Sequence, residues 1–210
     1  MSGKVSGFCS QKLEGGDNSP WDYLGKNGAS VLQFIAVDTP NSLAREPFQK
    51  FKQRYPQIKF ALRTSVGVWT GNKWDISEGG QLSYLGYPNS SPSQAAQKMI
   101  ELAKRCIDKV PEIEIFQPTN EMADLQKDRS RIDLVKWYSN FTAEYTQKLH
   151  EQCDKRKTMG INHPRGCISG LANFGRGLNP ELWDTLYDEE LSLYLPALYA
   201  LNQYRGWWVV

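Results

Sequence analysis

Apolar residues along the chain gather into short runs that alternate with longer segments of helical periodicity. The runs predict six buried strands, at residues 4–11, 30–39, 58–69, from 113 to the Asn120-Glu121 pair, 166–175 and 196–207. Apolar residues at three- and four-residue spacing predict helices at 46–56, 91–111, 132–156 and 179–195. Nearly continuous apolar strands that alternate with helices indicate a parallel sheet covered by helices.

Two architectures satisfy this alternation, a doubly wound open sheet and a (β/α)8 barrel. The stretch after the first strand lacks the Gly-x-Gly-x-x-Gly turn of the nucleotide-binding fold, and the sequence contains no Walker-type phosphate loop. Polar residues recur at the predicted carboxyl ends of the strands, where barrel enzymes carry their active sites. They are Cys9, Gln11, Asp38, Arg63, Asn120, Glu121, Asn173, Gln203 and Tyr204. We therefore predict one α/β domain over residues 1–210, a parallel (β/α) barrel of TIM type that is incomplete, with about six βα units.

The overall charge argues against two classes of partner. Charged residues make up 23% of the chain and give a net charge of only +2, with both signs interleaved. This balance predicts neither nucleic-acid binding nor attraction to an acidic membrane surface. No apolar run approaches the roughly 20 residues that span a bilayer, so we expect no membrane span. The 7 Trp and 10 Tyr supply flat surfaces on which sugar rings can stack.

The cysteines bear on metal binding and on the cellular compartment. Cys9, Cys106, Cys153 and Cys167 are far apart and form no Cys-x-x-Cys pair, so we expect no metal site and no cofactor. Free thiols in a reducing compartment are the default expectation. The amino-terminal residues contain no apolar stretch typical of a secretory signal, and the default location is the cytoplasm.

Motifs on successive strands resemble those of one clan of enzymes. They are Gly7-Phe8, Asn120-Glu121 after strand four, Gly170-Leu171-Ala172 in strand five, and Ala200 to Tyr204 followed by Trp207 and Trp208. In this order they resemble the glycoside hydrolases of the large (β/α)8 clan that carries Asn-Glu after strand four. Within that clan they look most like a bacterial group of glycosidase-like barrels. The resemblance covers essentially the whole chain.

The resemblance implies retaining hydrolysis of O-glycosidic bonds, with carbohydrate as the partner and Glu121 as the acid/base. A carboxyl group that faces a partly dry pocket has a raised pKa, which suits a proton donor. By the same resemblance Asn120 hydrogen-bonds the sugar 2-hydroxyl, and we expect Arg63 and Tyr204 to orient carboxylates. The remaining predicted substrate-binding residues are Asp38, Trp69, Asn173, Gln203 and Trp207.

The second carboxylate of such a mechanism is missing. A retaining glycosidase needs an ionised carboxylate about 5 Å from the acid, and in the clan it lies at the end of strand seven. Here the predicted strand six ends at residue 207 of 210, and the His-Glu of that strand in the family is replaced by Asn202-Gln203. We therefore expect the nucleophile to be absent from this chain.

Two alternatives stay open. One is a non-catalytic carbohydrate-binding or self-assembling protein built on a degenerate barrel. The other is a six-stranded α/β domain unrelated to glycosidases, in which Asn120-Glu121 is coincidental. Unpaired edges at strands one and six predict a homo-oligomer, because open strand edges pair with other chains.

Overall fold

The computed structural model describes residues 9–10, 20–37, 43–119, 129–160, 168–171, 183–204 and 207–208. The strands are β1 (Cys9–Ser10), β2 (Val31–Val37), β3 (Lys59–Ser65), β4 (Val68–Thr70), β5 (Lys73–Asp75), β6 (Ile113–Gln117), β7 (Ile168–Leu171) and β8 (Trp207–Trp208). The helices are α1 (Pro20–Lys26), α2 (Arg45–Arg54), α3 (Glu78–Leu85), α4 (Pro92–Lys109), α5 (Ile132–Thr158) and α6 (Trp183–Gln203), with a 3-10 turn at Arg129–Arg131.

The main sheet is parallel and has the strand order β1-β2-β3-β6-β7-β8. Its centre consists of β2, β3 and β6, which have five to seven residues each, whereas β1 and β8 have two residues each. The predicted TIM-type barrel of about six βα units is wrong. Within the described ranges no ladder joins β1 to β8, and two-residue strands provide too little pairing for the tilted, staggered closure of a barrel. The expected oligomer stays a prediction.

The predicted strand six is also wrong, because most of it is helical. Helix α6 runs through Pro196 and ends at Gln203, and β8 shares only Trp207 with the expected strand. Proline inside a helix removes one hydrogen bond and disturbs the turn before it. Here the backbone N–H of Ala197 donates to Ser139 Oγ on α5, 3.3 Å away. A hydrogen bond to the neighbouring helix thus satisfies a backbone group beside the proline.

The predicted strand three divides into two elements. Strand β3 ends at Ser65, and the residues that follow form the antiparallel hairpin β4–β5. The chain leaves the sheet at Gly67, where a side chain is excluded because a Cβ atom would lie 2.0 Å from the backbone oxygen of Asp75. Trp69 therefore lies on a separate hairpin and not at the end of a sheet strand.

One face of the sheet packs against helices. The Phe60 ring of β3 meets Phe48 of α2 edge-on, with 5.1 Å between ring centroids, and Phe51 lies 6.0 Å from Phe60. Alternate residues of a strand point to the same face. Leu62 therefore lies on this face with Phe60, and both belong to the hydrophobic core that also contains buried residues of α2, α4 and α5.

Three predicted helices are confirmed, at α2, α4 and α5. The start of α4 shows why local sequence was sufficient. Ser91 and Gln94 form a reciprocal capping box, with Gln94 N–H donating to Ser91 Oγ at 3.2 Å and Ser91 N–H donating to Gln94 Oε1 at 2.8 Å. Pro92 then occupies the first turn, where no intrahelical donor is needed.

The cysteines differ from the expectation of free thiols. Cys153 of α5 is disulfide-bonded, to a cysteine whose side chain is outside the described set. Cys106 of α4 is a buried free thiol. Disulfides persist in oxidising compartments, so the reasoning from four free thiols to a reducing compartment no longer holds.

Candidate functional site at the carboxyl edge of the sheet

The carboxyl ends of β2, β3 and β6 lie along one edge of the parallel sheet, which is where ligands bind in open α/β sheets. Arg63 and Gln117 are partners in the register of β3 and β6, near this edge. Gln33, Ala61, Arg63, Ile115 and Gln117 lie on the face opposite to Phe60, because strand residues alternate between faces. We call this surface the amide face.

Two glutamine side chains meet on the amide face above β3. Gln33 Nε2 on β2 donates to Gln117 Oε1 on β6 at 2.7 Å, and Gln117 Nε2 donates to the backbone oxygen of Thr119 at 3.2 Å. Gln33 pairs with Ala61 in the sheet register and Gln117 pairs with Arg63, so the bond runs diagonally across β3. The hydrogen bonds hold the buried Gln117 side chain in one orientation.

Arg63 brings a positive charge to the amide face. Its side chain is partly buried, and Nε is shielded from solvent without a hydrogen-bond partner. In the described part of the chain no carboxylate forms an ion pair with Arg63. The other arginines shielded from solvent there do have such partners, because Arg131 binds Glu78 and Arg156 binds Asp108. A shielded cation without an anion is costly. Arg63 is therefore the residue of this face best suited to bind an anionic group.

The backbone after β6 is fixed by two hydroxyl groups. Thr64 Oγ1 donates to the backbone oxygens of Pro118 at 2.6 Å and Gln117 at 3.1 Å. Thr119 Oγ1 and Tyr138 OH are hydrogen-bonded at 2.6 Å, and burial raises the pKa of Tyr138 to about 12, so the phenol stays protonated at neutral pH. The chain thus reaches Asn120 and Glu121 from an anchored end of β6.

The β4–β5 hairpin follows β3 at the same edge and carries a tryptophan pair. Trp69 and Trp74 are partners in its register, with ring centroids 5.7 Å apart in an edge-to-face arrangement. Trp69 is 69% exposed, whereas Trp74 is partly buried and its Nε1 is shielded without a hydrogen-bond partner. A broad apolar ring is therefore presented to solvent on a second ring that supports it.

Two interactions brace the hairpin. Asp75 Oδ1 accepts a hydrogen bond from Ser77 N–H at 3.0 Å, and the hydrogen bonds from Ser77 hold the pKa of Asp75 below its usual value. Glu78, in the first turn of α3, forms an ion pair with Arg131 just before α5. The tryptophan pair is thereby connected to the helices that flank the edge.

The predicted site residues have different outcomes. Arg63 lies on the amide face near the edge, and Trp69 lies on the hairpin beside it. We expected Gln203 and Tyr204 at the end of a strand. Gln203 is instead the last residue of α6, and Tyr204 lies in the turn after it. The centroid of the Tyr204 ring is 5.0 Å from that of His150. Trp207 has a described backbone in β8 and no described side chain; Asp38, Asn120, Glu121 and Asn173 are outside the described residues.

Sequence reasoning did not identify Gln33, Gln117 and Thr119. A signal was present, because Gln33 interrupts an apolar strand and Gln117 directly follows the apolar pair Ile115-Phe116, and a buried amide requires partners. Which amides meet depends on the pairing of residues 84 positions apart. The strand register, which the sequence pattern does not specify, determines that pairing.

A groove at the opposite end of the sheet is a weaker candidate. It encloses about 400 Å³ between α2 and the start of β6. Its charged groups are already paired, because Lys52 Nζ lies 2.8 Å from Glu114 Oε1 and Arg45 binds Glu112 at 2.9 Å. The described residues contain no group of three or more His, Cys, Asp or Glu that could hold a metal ion.

Comparison of the chain with models of protein families, with curated proteins and with solved structures finds no match. The resemblance to glycoside hydrolases is thus a prediction from the motifs alone. Of the helices in the described ranges, none is long and apolar enough to cross a membrane.

Proposed function

We propose that this protein binds carbohydrate at the carboxyl edge of its parallel sheet, with Trp69 as the stacking surface. The observation that supports this most is the 69% exposure of Trp69 on top of Trp74. A large exposed indole costs free energy in water, and indoles are frequent where one surface must bind an amphipathic ligand. Sugar rings have apolar C–H faces and polar rims, which suits such a surface.

The neighbouring polar groups suit the rim of a sugar. Arg63 supplies donors, and the partly buried Gln33 on the same face carries an amide with both donor and acceptor atoms. A hydrophobic surface with a few oriented polar groups is the usual composition of a small-molecule site. The hairpin and the amide face therefore provide complementary parts of one carbohydrate site.

Hydrolysis is a second candidate, because Glu121 follows the anchored end of β6 by two residues after Thr119. In this role Glu121 protonates the glycosidic oxygen, and a second carboxylate about 5 Å away attacks the sugar. On the amide face, the described positions of β2, β3 and β6 carry no Asp or Glu. Binding is therefore the better-supported function, and hydrolysis depends on a nucleophile that the described edge does not supply.

Carbohydrate binding is tested by titrating the protein with a panel of neutral and acidic oligosaccharides in a calorimeter. We expect Trp69→Ala to weaken binding of the selected sugar at least roughly tenfold, or about 1.4 kcal/mol. Tyr199→Ala is the matched control, because Tyr199 is an equally exposed aromatic residue, at 68%, on α6. Equal loss in both variants, or none in Trp69→Ala, counts against the proposed site.

Hydrolysis is tested separately with aryl glycosides. We expect turnover by the unmodified protein to fall to background in Glu121→Gln, since a carboxamide cannot donate the proton. Equal rates in the two proteins would remove hydrolysis and leave the binding function unaffected.

A further inference from the structure

The geometry points to acidic carbohydrate of the uronic-acid type as the ligand, with the Arg63 guanidinium as the group that selects its carboxylate. This inference rests on the proposed function and names the substrate class of the same site. It depends on the position of Arg63, on the solvent shielding of its side chain and on the charges around it.

Arg63 is positioned to meet a ligand at the carboxyl edge. It lies two residues before the end of β3, directly beside Gln117 of β6 and on the same face. The Gln33–Gln117 hydrogen bond fixes the amides next to it. Arginine presents a planar fork of donors that matches a carboxylate in two parallel hydrogen bonds, which a neutral hydroxyl cannot reproduce.

The environment of Arg63 contrasts with that of the other arginines. Arg131 and Arg156 are shielded from solvent, and a carboxylate partner compensates each of them. Arg63 is also partly buried and has a shielded Nε, yet within the described ranges it has no carboxylate partner. Such a cation gains from an anion that arrives from solution, because part of its desolvation has already occurred on folding.

The surroundings of Arg63 do not neutralise its charge. On the amide face its described neighbours are the neutral side chains Gln33, Ala61, Ile115 and Gln117. The carboxylates of this region that the structure describes, Asp75 and Glu78, already bind Ser77 and Arg131. The described part of the amide face therefore carries the positive charge of Arg63 without a negative one.

The test compares sugars that differ only at the carboxylate. Calorimetry at low ionic strength is run with matched tetrasaccharides of glucose and glucuronic acid, mannose and mannuronic acid, and galactose and galacturonic acid. We expect the acid of at least one pair to bind roughly tenfold tighter than its neutral counterpart. Added salt should reduce this preference, since it arises from charge.

Variants then assign the preference to Arg63. Arg63→Met should abolish the preference, because the acid loses its charged partner and the two sugars then bind with similar affinity. Arg105→Met is the control, because Arg105 is an exposed arginine on α4, and it should retain the preference. If circular dichroism shows that Arg63→Met is unfolded, Arg63→Lys replaces it and should keep part of the preference, because it keeps the charge without the planar fork.

The outcomes separate this inference from the proposed function. Equal affinity for acid and neutral sugar, with binding that still depends on Trp69, overturns acid selection and leaves carbohydrate binding intact. Weakening of both sugars by the same factor in Arg63→Met also overturns it, because the preference for the acid would then not come from Arg63. The absence of binding to all six sugars overturns both proposals.

Discussion

Gln33 and Gln117 lie on strands that β3 separates, and yet their side chains are hydrogen-bonded, with 2.7 Å between Gln33 Nε2 and Gln117 Oε1. Gln33 is level with Ala61 in the register and Gln117 is level with Arg63, so the bond crosses β3 on the diagonal between these two positions. It closes a buried polar connection across the three central strands. The arrangement of the amide face therefore depends on a hydrogen bond between two side chains from distant parts of the sequence.

A double-mutant cycle measures this connection. Gln33→Leu removes one partner and leaves the Gln117 carbonyl oxygen shielded without its donor, so we expect a loss of about 1–3 kcal/mol in the free energy of unfolding. The combined Gln33→Leu and Gln117→Leu variant should lose less than the sum of the single variants. Urea unfolding gives the three values, and strict additivity would contradict the coupling.

The bond between Ser139 and Ala197 predicts a second effect on stability. Ser139→Ala removes the hydroxyl oxygen that accepts from the backbone N–H of Ala197, so we expect a loss of about 0.5–1.5 kcal/mol in the free energy of unfolding. Asn140→Ala is the control, because Asn140 is the next residue of α5 and its side chain is exposed. Urea unfolding of both variants measures the loss in the free energy of unfolding. A loss in Ser139→Ala as small as that in Asn140→Ala would mean that the bond does not contribute to stability.

Cys106 should be unreactive in the folded protein. Burial raises the pKa of its thiol to about 12, and the thiolate is the reactive form. At pH 8 only about one molecule in ten thousand would then carry the thiolate. Mass spectrometry after iodoacetamide treatment should show Cys106 unmodified in the native protein and modified in urea. Rapid labelling of the native protein at pH 8 would contradict its burial.

His150 makes stability depend on pH in a defined direction. Burial lowers its pKa below the ordinary 6.5, and the opposing effect of Asp154 is smaller. Between the folded and unfolded pKa values the unfolded chain binds more protons, so this contribution to stability is complete above pH 6.5 and falls as the pH drops below it. Urea unfolding at pH 7.5 and 5.5 should show a decrease that is smaller in His150→Phe. An unchanged decrease in that variant would exclude His150 as its source.

Local features of the sequence allowed some elements to be predicted. The Ser91–Gln94 capping box and the apolar spacing that follows it determine α4 through interactions between near neighbours. The prediction of strand six is wrong because it places a proline at the start of a strand. Pro196 lies inside α6, next to the hydrogen bond from Ala197 N–H to Ser139 Oγ. That compensation comes from another helix, and hydrophobic periodicity carries no information about it.

The barrel prediction failed for a related reason. The absence of a phosphate-binding turn argues against a nucleotide ligand. It does not argue against an open sheet, which can bind other ligands or none. Pairing between the first and last strands distinguishes the architectures, and in the described ranges no ladder joins β1 to β8; apolar runs carry no information about that pairing. The role of Trp69 in the site stays a prediction; its hairpin was missed because Val66 and Gly67 continue an apolar pattern across the end of β3.

The most direct test of the carbohydrate site observes the indole groups themselves. Proton–nitrogen NMR spectra resolve one indole N–H signal for each of the 7 Trp, and Trp69→Phe and Trp74→Phe assign the signals of this pair. Titration with the oligosaccharide chosen by calorimetry should shift the Trp69 and Trp74 signals more than the other five. Saturable shifts confined to the other tryptophans, with Trp69 and Trp74 unchanged, would contradict the account.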